Sequence, residues 1–441
     1  MRITYITAGA GGMYCGSCLR DNALATALSR RGHDVMLLPL YTPTRTDEVN
    51  VSQSRVFFGG ISVFLEQYVS LFRKTPWLLD RLWESPWLLR AVASRAVQTS
   101  PTQLGALTVS VLEGAHGHQR KELDKLVRWL TDQPRPDVID ISNSLLVSIA
   151  GPLKEALGCP VNCTMQGEDI FIDGLLEPHR SRAKALIRSQ VAHVDSFVAV
   201  SDYYAGHMSR YLGIPDAKMR VVPLGVNPDR FVPAPRDSSV STPITVGYLG
   251  RIAPEKGIHL LVEAYRNLRA RGALTDVRLE FAGYLGAEHV AYWQAIDRDV
   301  KQWGLDRHIH YRGELDLDAK IRFLQSLDLF VVPATYDDPK GMSLIEAMAC
   351  GVPVVAPRRG SYTELLERTG GGVLVAPEDP AELEQVLSDL VGDPGQVQTL
   401  GTRARAGIRD RYTTDAMTSA ALDVYGRLVG QPNASVPGRH A

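Results

Sequence analysis

Short runs of β-branched and aromatic residues alternate with helical stretches twice along this chain, and that rhythm leaves few folds open. "RITYIT" is β-rich, "SCLRDNALATALSRRGH" is helical and "DVMLLPLY" is β-rich again. Strand, helix and strand in that order predict a parallel sheet entered by a right-handed crossover. The helix repeats apolar residues at Leu19, Ala23, Leu24, Ala27 and Leu28, one face at helical spacing and its expected buried side. Gly32 is placed to end it, with Arg30 and Arg31 in the last turn. The rhythm returns at "PDVIDIS", "PVNCTMQ", "SFVAVS" and "MRVVPLGVN". It starts afresh at "ITVGYLG" and runs through "VRLEFAG", "HIHYRG", "LFVVP", "PVVAP" and "GGVLVA".

Between the two runs lies "PDRFVPAPRDSSVSTP", rich in Pro and Ser and without periodicity, which reads as a linker. The expected organisation is a first α/β domain over 1–228, a linker over 229–242 and a second α/β domain over 243–412. A closing helix over about 413–429 is expected to pack back on the first domain, followed by a disordered tail over 430–441. A helical stretch over about 57–130 interrupts the first domain, and its segment "FLEQYVSLFRKTPWLLDRLWESPWLLRAVASRAV" concentrates Trp77, Trp83 and Trp87, half of the six tryptophans. It reads as an insertion of packed helices, or more sharply as an acceptor site or a patch touching lipid. Open α/β sheets bind ligands beyond the carboxyl ends of their strands, so two such domains facing each other make a cleft.

Composition narrows the partners. A formal net charge of −1 gives no general attraction to nucleic acid or anionic membranes. No apolar run approaches the length of a membrane-spanning helix, and the N-terminus reads as a strand without a signal peptide. Five cysteines argue against a disulfide scaffold, which makes the cytoplasm the expected compartment.

The stretch "GAGGMYCGSCLRDN", beginning at Gly9, admits three readings. Cys15 and Cys18 have the spacing of a redox pair or of half a zinc site, whereas a glycine-rich turn after a first strand suits a phosphate or nucleotide sugar. A dinucleotide fingerprint fails, because Tyr14 stands where a third glycine should and no acid ends the second strand. For zinc, the further ligands would be Cys159 and Cys163. These lie near opposite ends of one strand, and at about 3.3 Å per residue their thiols stand more than about 10 Å apart. A cluster of Cys15, Cys18 and Cys163 remains open. Cys18 is expected to pack inward and Cys15 to be exposed at the helix N-terminus, with a lowered pKa.

Two segments of the second run carry anion chemistry. In "GYLGRIAPEKGIHLLVEAY" a strand ends at Gly247–Gly250, and a helix begins near Gly257 with Ile258, Leu261, Val262 and Leu268 on its buried face. Arg251 and Lys256 lie in the loop between, where glycines admit close backbone approach and a helix N-terminus adds its positive end. A guanidinium and an ammonium there can hold a diphosphate. In "YDDPKGMSLIEAMACGVPVVA", Asp338 and Glu346 stand eight apart around a helix expected to start near Met342. That start would leave the N–H groups of Gly341, Met342 and Ser343 free for a ligand, and the two carboxylates make a clamp for hydroxyl-rich molecules.

These segments, together with "RRGHDV", "VAVSDYYAGHM" and "VVPLGVNPDRFVP", resemble the retaining glycosyltransferases of family 4 over nearly the whole chain except the tryptophan-rich insertion. The resemblance implies the GT-B architecture of two Rossmann-like domains facing each other across a cleft. It implies transfer from a nucleotide-diphosphate sugar to a hydroxyl acceptor with retention, without a cofactor and with no metal. Arg251 and Lys256 would bind and neutralise the donor diphosphate, Asp338 would meet the donor sugar and Glu346 the ribose. Leu315 would contact the nucleobase through its backbone, while Gly250 and Lys340 would line the donor site. The family's Gly-Gly turn falls on Gly16 counting back from "RRGH", or on the pair Gly11–Gly12.

Two residues depart from the pattern. Asp338 replaces the first glutamate of the motif, with Asp337 as an alternative occupant. Gln166 stands where the family often has a histidine near the reacting centre, and an amide cannot take a proton. The base would then be the leaving phosphate, or a group such as Glu168 or Asp169. A lipid-linked acceptor and peripheral contact at the inner membrane face through the tryptophan-rich stretch fit the same picture. The alternatives are a non-catalytic nucleotide-sugar-binding protein or another GT-B enzyme.

Overall fold

The computed structural model describes residues 1–9, 16–44, 46, 48–53, 55–58, 101–234, 243–272 and 276–430. Gly11, Gly12, Cys15, Trp77, Trp83 and Trp87 lie outside the described residues, as do most of the expected linker and the tail after Gly430.

The described chain forms two compact units. The first contains β1 (Arg2–Thr7), α1 (Gly16–Arg30), β2 (Asp34–Pro39), α2 (Pro101–Leu112), α3 (Arg120–Thr131), β3 (Val138–Ile141) and α4 (Ala150–Leu157). It continues with β4 (Val161–Met165), α5 (Asp169–Asp173), α6 (His179–Gln190), β5 (Ser196–Ala199), α7 (Asp202–Leu212) and β6 (Met219–Val221). Its sheet has the order β2-β1-β3-β4-β5-β6 and every pairing is parallel. The order reverses between β1 and β3, so the loops after those strands leave in opposite directions and open a crevice at their carboxyl ends. Gln166 follows β4 on that same edge.

A parallel sheet covered by helices ordinarily reads as continuous apolar strands. Here the middle of the sheet is polar. The Asp140 carboxylate of β3 accepts from Thr164 Oγ1 at 2.9 Å and from Asn162 Nδ2 at 2.9 Å. It also accepts from the Tyr425 hydroxyl at 2.6 Å. Asp21 accepts from the Tyr5 and Thr7 hydroxyls at 2.9 Å each, while Arg20 donates to Tyr5 at 2.6 Å. This corrects the expected face of α1. Leu24 and Leu28 are buried as expected, but Arg20, Asp21 and Asn22 are buried beside them, while Leu19, Ala23 and Ala27 are only half-buried. Counting apolar residues misses a face on which charges meet polar strand residues.

The second unit contains β7 (Ile244–Leu249), α8 (Ile258–Ala270), β8 (Val277–Ala282), α9 (Val290–Gln302), β9 (Ile309–Tyr311), α10 (Leu317–Gln325) and β10 (Leu329–Val331). It continues with α11 (Met342–Ala349), β11 (Val354–Pro357), α12 (Gly360–Thr369), β12 (Gly372–Val375), α13 (Pro380–Gly392) and α14 (Pro394–Arg411). Its parallel sheet runs β12-β11-β10-β7-β8-β9, with the reversal between β7 and β10. Ile258, Leu261, Val262 and Leu268 of α8 are buried, as their spacing predicts.

The units divide after Val222 rather than at 228, and Ser201–Tyr204 group with the second unit. Backbone pairing explains the earlier boundary: Val226 N–H donates to Tyr412 O at 3.0 Å, and Thr414 N–H donates to Val226 O at 2.9 Å. That holds the segment to the second unit whatever its composition. The last helix, α15 (Thr414–Leu428), changes membership along its length, with residues from Thr418 onward grouping with the first unit.

Candidate active site

The β7–α8 and β10–α11 loops both leave the second sheet at its reversal, and this brings Lys256 to Asp338. The β7–α8 loop turns through Gly257, whose φ of +69° lies in the left-handed region. A Cβ there would stand 1.9 Å from the Pro333 carbonyl oxygen, so only glycine lets the two loops approach this closely. Thr335 N–H donates to Glu255 O at 2.9 Å and ties the loops together.

Asp338 is buried and saturated. Its Oδ2 lies 3.0 Å from Lys256 Nζ and also accepts from the Tyr336 hydroxyl. Its Oδ1 accepts from the N–H groups of Lys340 at 2.9 Å and Gly341 at 3.0 Å. Burial alone would raise the pKa of this carboxyl. The Lys256 ammonium, the Tyr336 hydroxyl and the two N–H groups outweigh it and hold the carboxyl well below the usual range. The ammonium of Lys256 also sits 4.6 Å from the centre of the Tyr336 ring and hydrogen-bonds its hydroxyl. Gly341 N–H is therefore not free for a ligand, contrary to expectation, because the shorter aspartate folds back onto its own turn. Met342 and Ser343, the first residues of α11, keep the positions whose N–H groups have no partner within the helix.

Arg251 follows another course. Its guanidinium pairs with Glu255, and its side chain is 44% exposed. Its carbonyl accepts from the Tyr248 hydroxyl at 2.8 Å, which fixes the backbone beside Gly250. Asp337 is exposed and lies 3.3 Å from Arg359, so of the two aspartates Asp338 is the one drawn to Lys256. Glu346, on the second turn of α11, is buried and lies 2.6 Å from Lys320 Nζ. Leu315 is half-buried in the segment leading to α10.

In the first unit, Gln166 Nε2 donates to Asp21 Oδ1 at 3.0 Å and to Ser142 O at 3.3 Å. Both partners are acceptors, which fixes the amide orientation and leaves Gln166 Oε1 buried without a partner among the described residues. The Glu168 carboxylate accepts from Ser144 N–H at 2.9 Å and from Gln166 N–H at 2.7 Å. Both of its oxygens thus hold loop backbone. Asp169 lies 3.1 Å from His207 Nε2. Gly16 begins α1, and Cys18 is buried in its first turn, as expected. Cys159 and Cys163 are buried, and burial raises both thiol pKa values. Among the described residues no group of three His, Cys, Asp or Glu side chains could hold a metal ion. None of the described helices is long and apolar enough to cross a membrane.

Three participants escaped the sequence reading: Tyr336, Lys320 and Asp21. Lys320 had a signal, as the one cation in the row Leu317, Lys320, Leu324 at helical spacing. Tyr336 and Asp21 had none beyond neighbouring charged residues.

The architecture is shared with solved structures. HepE of Anabaena, crystallised with UDP, superposes with a TM-score of 0.70 at 17% identity, covering 97% of this chain and 100% of that one. This likeness defines the class, a GT-B fold of two Rossmann-like domains. Residues 235–407 match the model of glycosyl transferases group 1, and residues 108–230 match glycosyltransferase family 4. The lipopolysaccharide core biosynthesis mannosyltransferase LpcC of Rhizobium leguminosarum is 30% identical over 59% of this chain and 71% of its own length. The putative colanic acid biosynthesis glycosyltransferase WcaL of Salmonella typhimurium is 29% identical over 80% of this chain and 85% of its own. The chain belongs to the group 1, family 4 glycosyltransferases. Several D-inositol 3-phosphate glycosyltransferases match over only 54–58% of their length.

Proposed function

We propose that the protein transfers a sugar from a nucleoside-diphosphate donor to a hydroxyl acceptor, with retention of configuration and without a metal ion. The observation that carries this reading is the meeting of Lys256 with the α11 N-terminus on one buried carboxylate. Asp338 holds the ammonium at a fixed point beside the first turn of α11, where unpaired N–H groups and the helix dipole favour an anion. A diphosphate arriving there meets Lys256, the N–H groups of Met342 and Ser343, and Arg251 once it turns from Glu255. Fixed cations supply the electrostatic stabilisation of the leaving diphosphate that a divalent metal would otherwise give. Lys340 and Gly250 shape the backbone around the anion, Leu315 lies on the segment assigned to the base, and Glu346 takes the ribose.

The saturation of Asp338 alters its part. Its first task in this chain is to position Lys256, and contact with the donor sugar is secondary. Glu168, with both oxygens on backbone N–H groups, acts as a loop anchor and not as a base. The acceptor proton then passes to an oxygen of the departing phosphate on the same face of the sugar, which accounts for retention. Gln166 Oε1, buried and aimed by Asp21, accepts from a substrate hydroxyl. The names of LpcC and WcaL, enzymes of lipopolysaccharide core and colanic acid biosynthesis, support a glycan as the acceptor.

A panel of UDP-, GDP- and ADP-sugars tested by thermal shift identifies the donor, and NMR of the product gives the anomeric configuration. The reading predicts stabilisation by one nucleotide series, retained configuration and full activity in excess EDTA. It fails if no nucleotide sugar stabilises the protein. Donor binding with neither hydrolysis nor transfer to any acceptor would mark a binding protein instead.

A further inference from the structure

We infer that Lys320 is a positioning residue that fixes Glu346 for the hydroxyls of the donor's ribose, an inference that rests on the donor reading above. Lys320 is 9% exposed and Glu346 7%, with 2.6 Å between Nζ and Oε1. An ammonium placed in the buried row of Leu317, Phe323 and Leu324 carries a desolvation cost that a neighbouring carboxylate offsets. Buried pairs of this kind seldom stabilise a fold more than apolar residues of the same size would, so stability alone does not account for it.

The helix that carries Lys320 is fixed at both ends. The Asp316 side chain caps α10, accepting from Ala319 N–H at 2.8 Å. Gln325 Nε2 donates to Val232 O at 2.8 Å, and Arg230 lies 3.1 Å from Asp318. These contacts anchor both ends of α10 to the segment around Phe231, whose ring centre lies 5.5 Å from the Lys320 ammonium. Glu346 is four residues beyond Met342, so it shares a helix face with the first residue of α11. Leu315 immediately precedes the Asp316 cap. A single element, α10 with its leading loop, thus carries the expected base contact and the cation that orients the ribose carboxylate. A carboxylate only accepts hydrogen bonds, so a fixed Glu346 rewards ribose hydroxyls and gains nothing from a deoxyribose.

The test is calorimetric titration of the full chain with UDP, GDP and ADP, then with the 2′-deoxy and 3′-deoxy forms of the one that binds. The wild type is expected to favour the ribose form by about 10-fold or more over at least one deoxy form. Lys320→Met should lower affinity for the ribose form and shrink that ratio below about 3-fold, with base preference unchanged, while Lys320→Arg keeps most of the ratio. Should Lys320→Met fail to fold, Lys320→Gln carries the same test. A folded variant that keeps the wild-type ratio, or loses affinity for both forms equally, overturns the assignment. If the wild type binds no nucleoside diphosphate, the donor reading itself has failed and this inference falls with it.

Discussion

The Lys256 ammonium lies 3.0 Å from a carboxylate oxygen of Asp338, and both side chains are largely buried. Removing one member leaves the other charge without its partner, at a cost of about 3–5 kcal/mol in comparable buried pairs. Lys256→Ala should therefore lower thermal stability and abolish nucleotide binding together. The double variant Lys256→Met/Asp338→Asn should recover much of the stability and none of the binding, as measured by denaturant unfolding and calorimetry. Because Asp338 is held below the usual carboxyl range, its contribution is present above about pH 4 and is lost as pH falls towards its depressed pKa.

Gly257 tests the approach of the two loops. Gly257→Ala forces a left-handed residue and drives its Cβ onto the Pro333 carbonyl. We expect a loss of at least about 2 kcal/mol, with nucleotide affinity falling further as Lys256 shifts. Gly272, also at positive φ but in open space, is the control, and Gly272→Ala should leave affinity untouched.

Gln166 separates binding from turnover. Gln166→Leu removes the buried, unpartnered amide oxygen proposed to accept from a substrate hydroxyl, and one donor to Asp21. Affinity for the bare nucleoside diphosphate, which engages the second unit, should change less than about 2-fold, while turnover falls about 10-fold or more. Equal losses in both would refute the assignment.

Asp140 gives the first unit its own pH dependence. Burial raises its pKa to about 6, although Tyr425, Arg20, Thr164 and Asn162 each favour the ionised form. A carboxyl raised in the folded state contributes stability that is full below about pH 4 and lost as pH rises through about 6. Tyr425→Phe removes a hydrogen bond to the ionised form, so it should cost about 1–3 kcal/mol at pH 8 and less at pH 5. Unfolding curves across that range check it, and a pH-independent loss would contradict the account.

Most of the fold was legible in the sequence because parallel strands and amphipathic helices are written by local pattern. Every β-rich run quoted above contains a strand, and α8 buries the residues its period marks. The candidate residues Arg251, Lys256, Asp338 and Glu346 were legible because they stand at loop and helix starts whose chemistry is local, and the structure brings two of them, Lys256 and Asp338, together. Their partners were not legible. Lys256 finds Tyr336 and Asp338 some eighty positions on, and Glu346 finds Lys320 on a different helix.

The sequence by itself therefore determined two parallel α/β units, the glycine-rich loops of the second that carry Lys256 and Asp338, and the family to which the chain belongs. Only the tertiary structure decided what each charge does. A carboxylate can face a substrate or hold a neighbouring lysine, and an arginine–aspartate pair can lie on a surface or be buried against a sheet. The choice depends on which strands and loops fold beside them, and residues far apart in the chain supply those neighbours. Asp338 was drawn onto its own turn and onto Lys256 because its side chain is short and two N–H groups and a cation surround it. Arg20 and Asp21 were taken into the core because Tyr5, Thr7 and Gln166 were there to receive them.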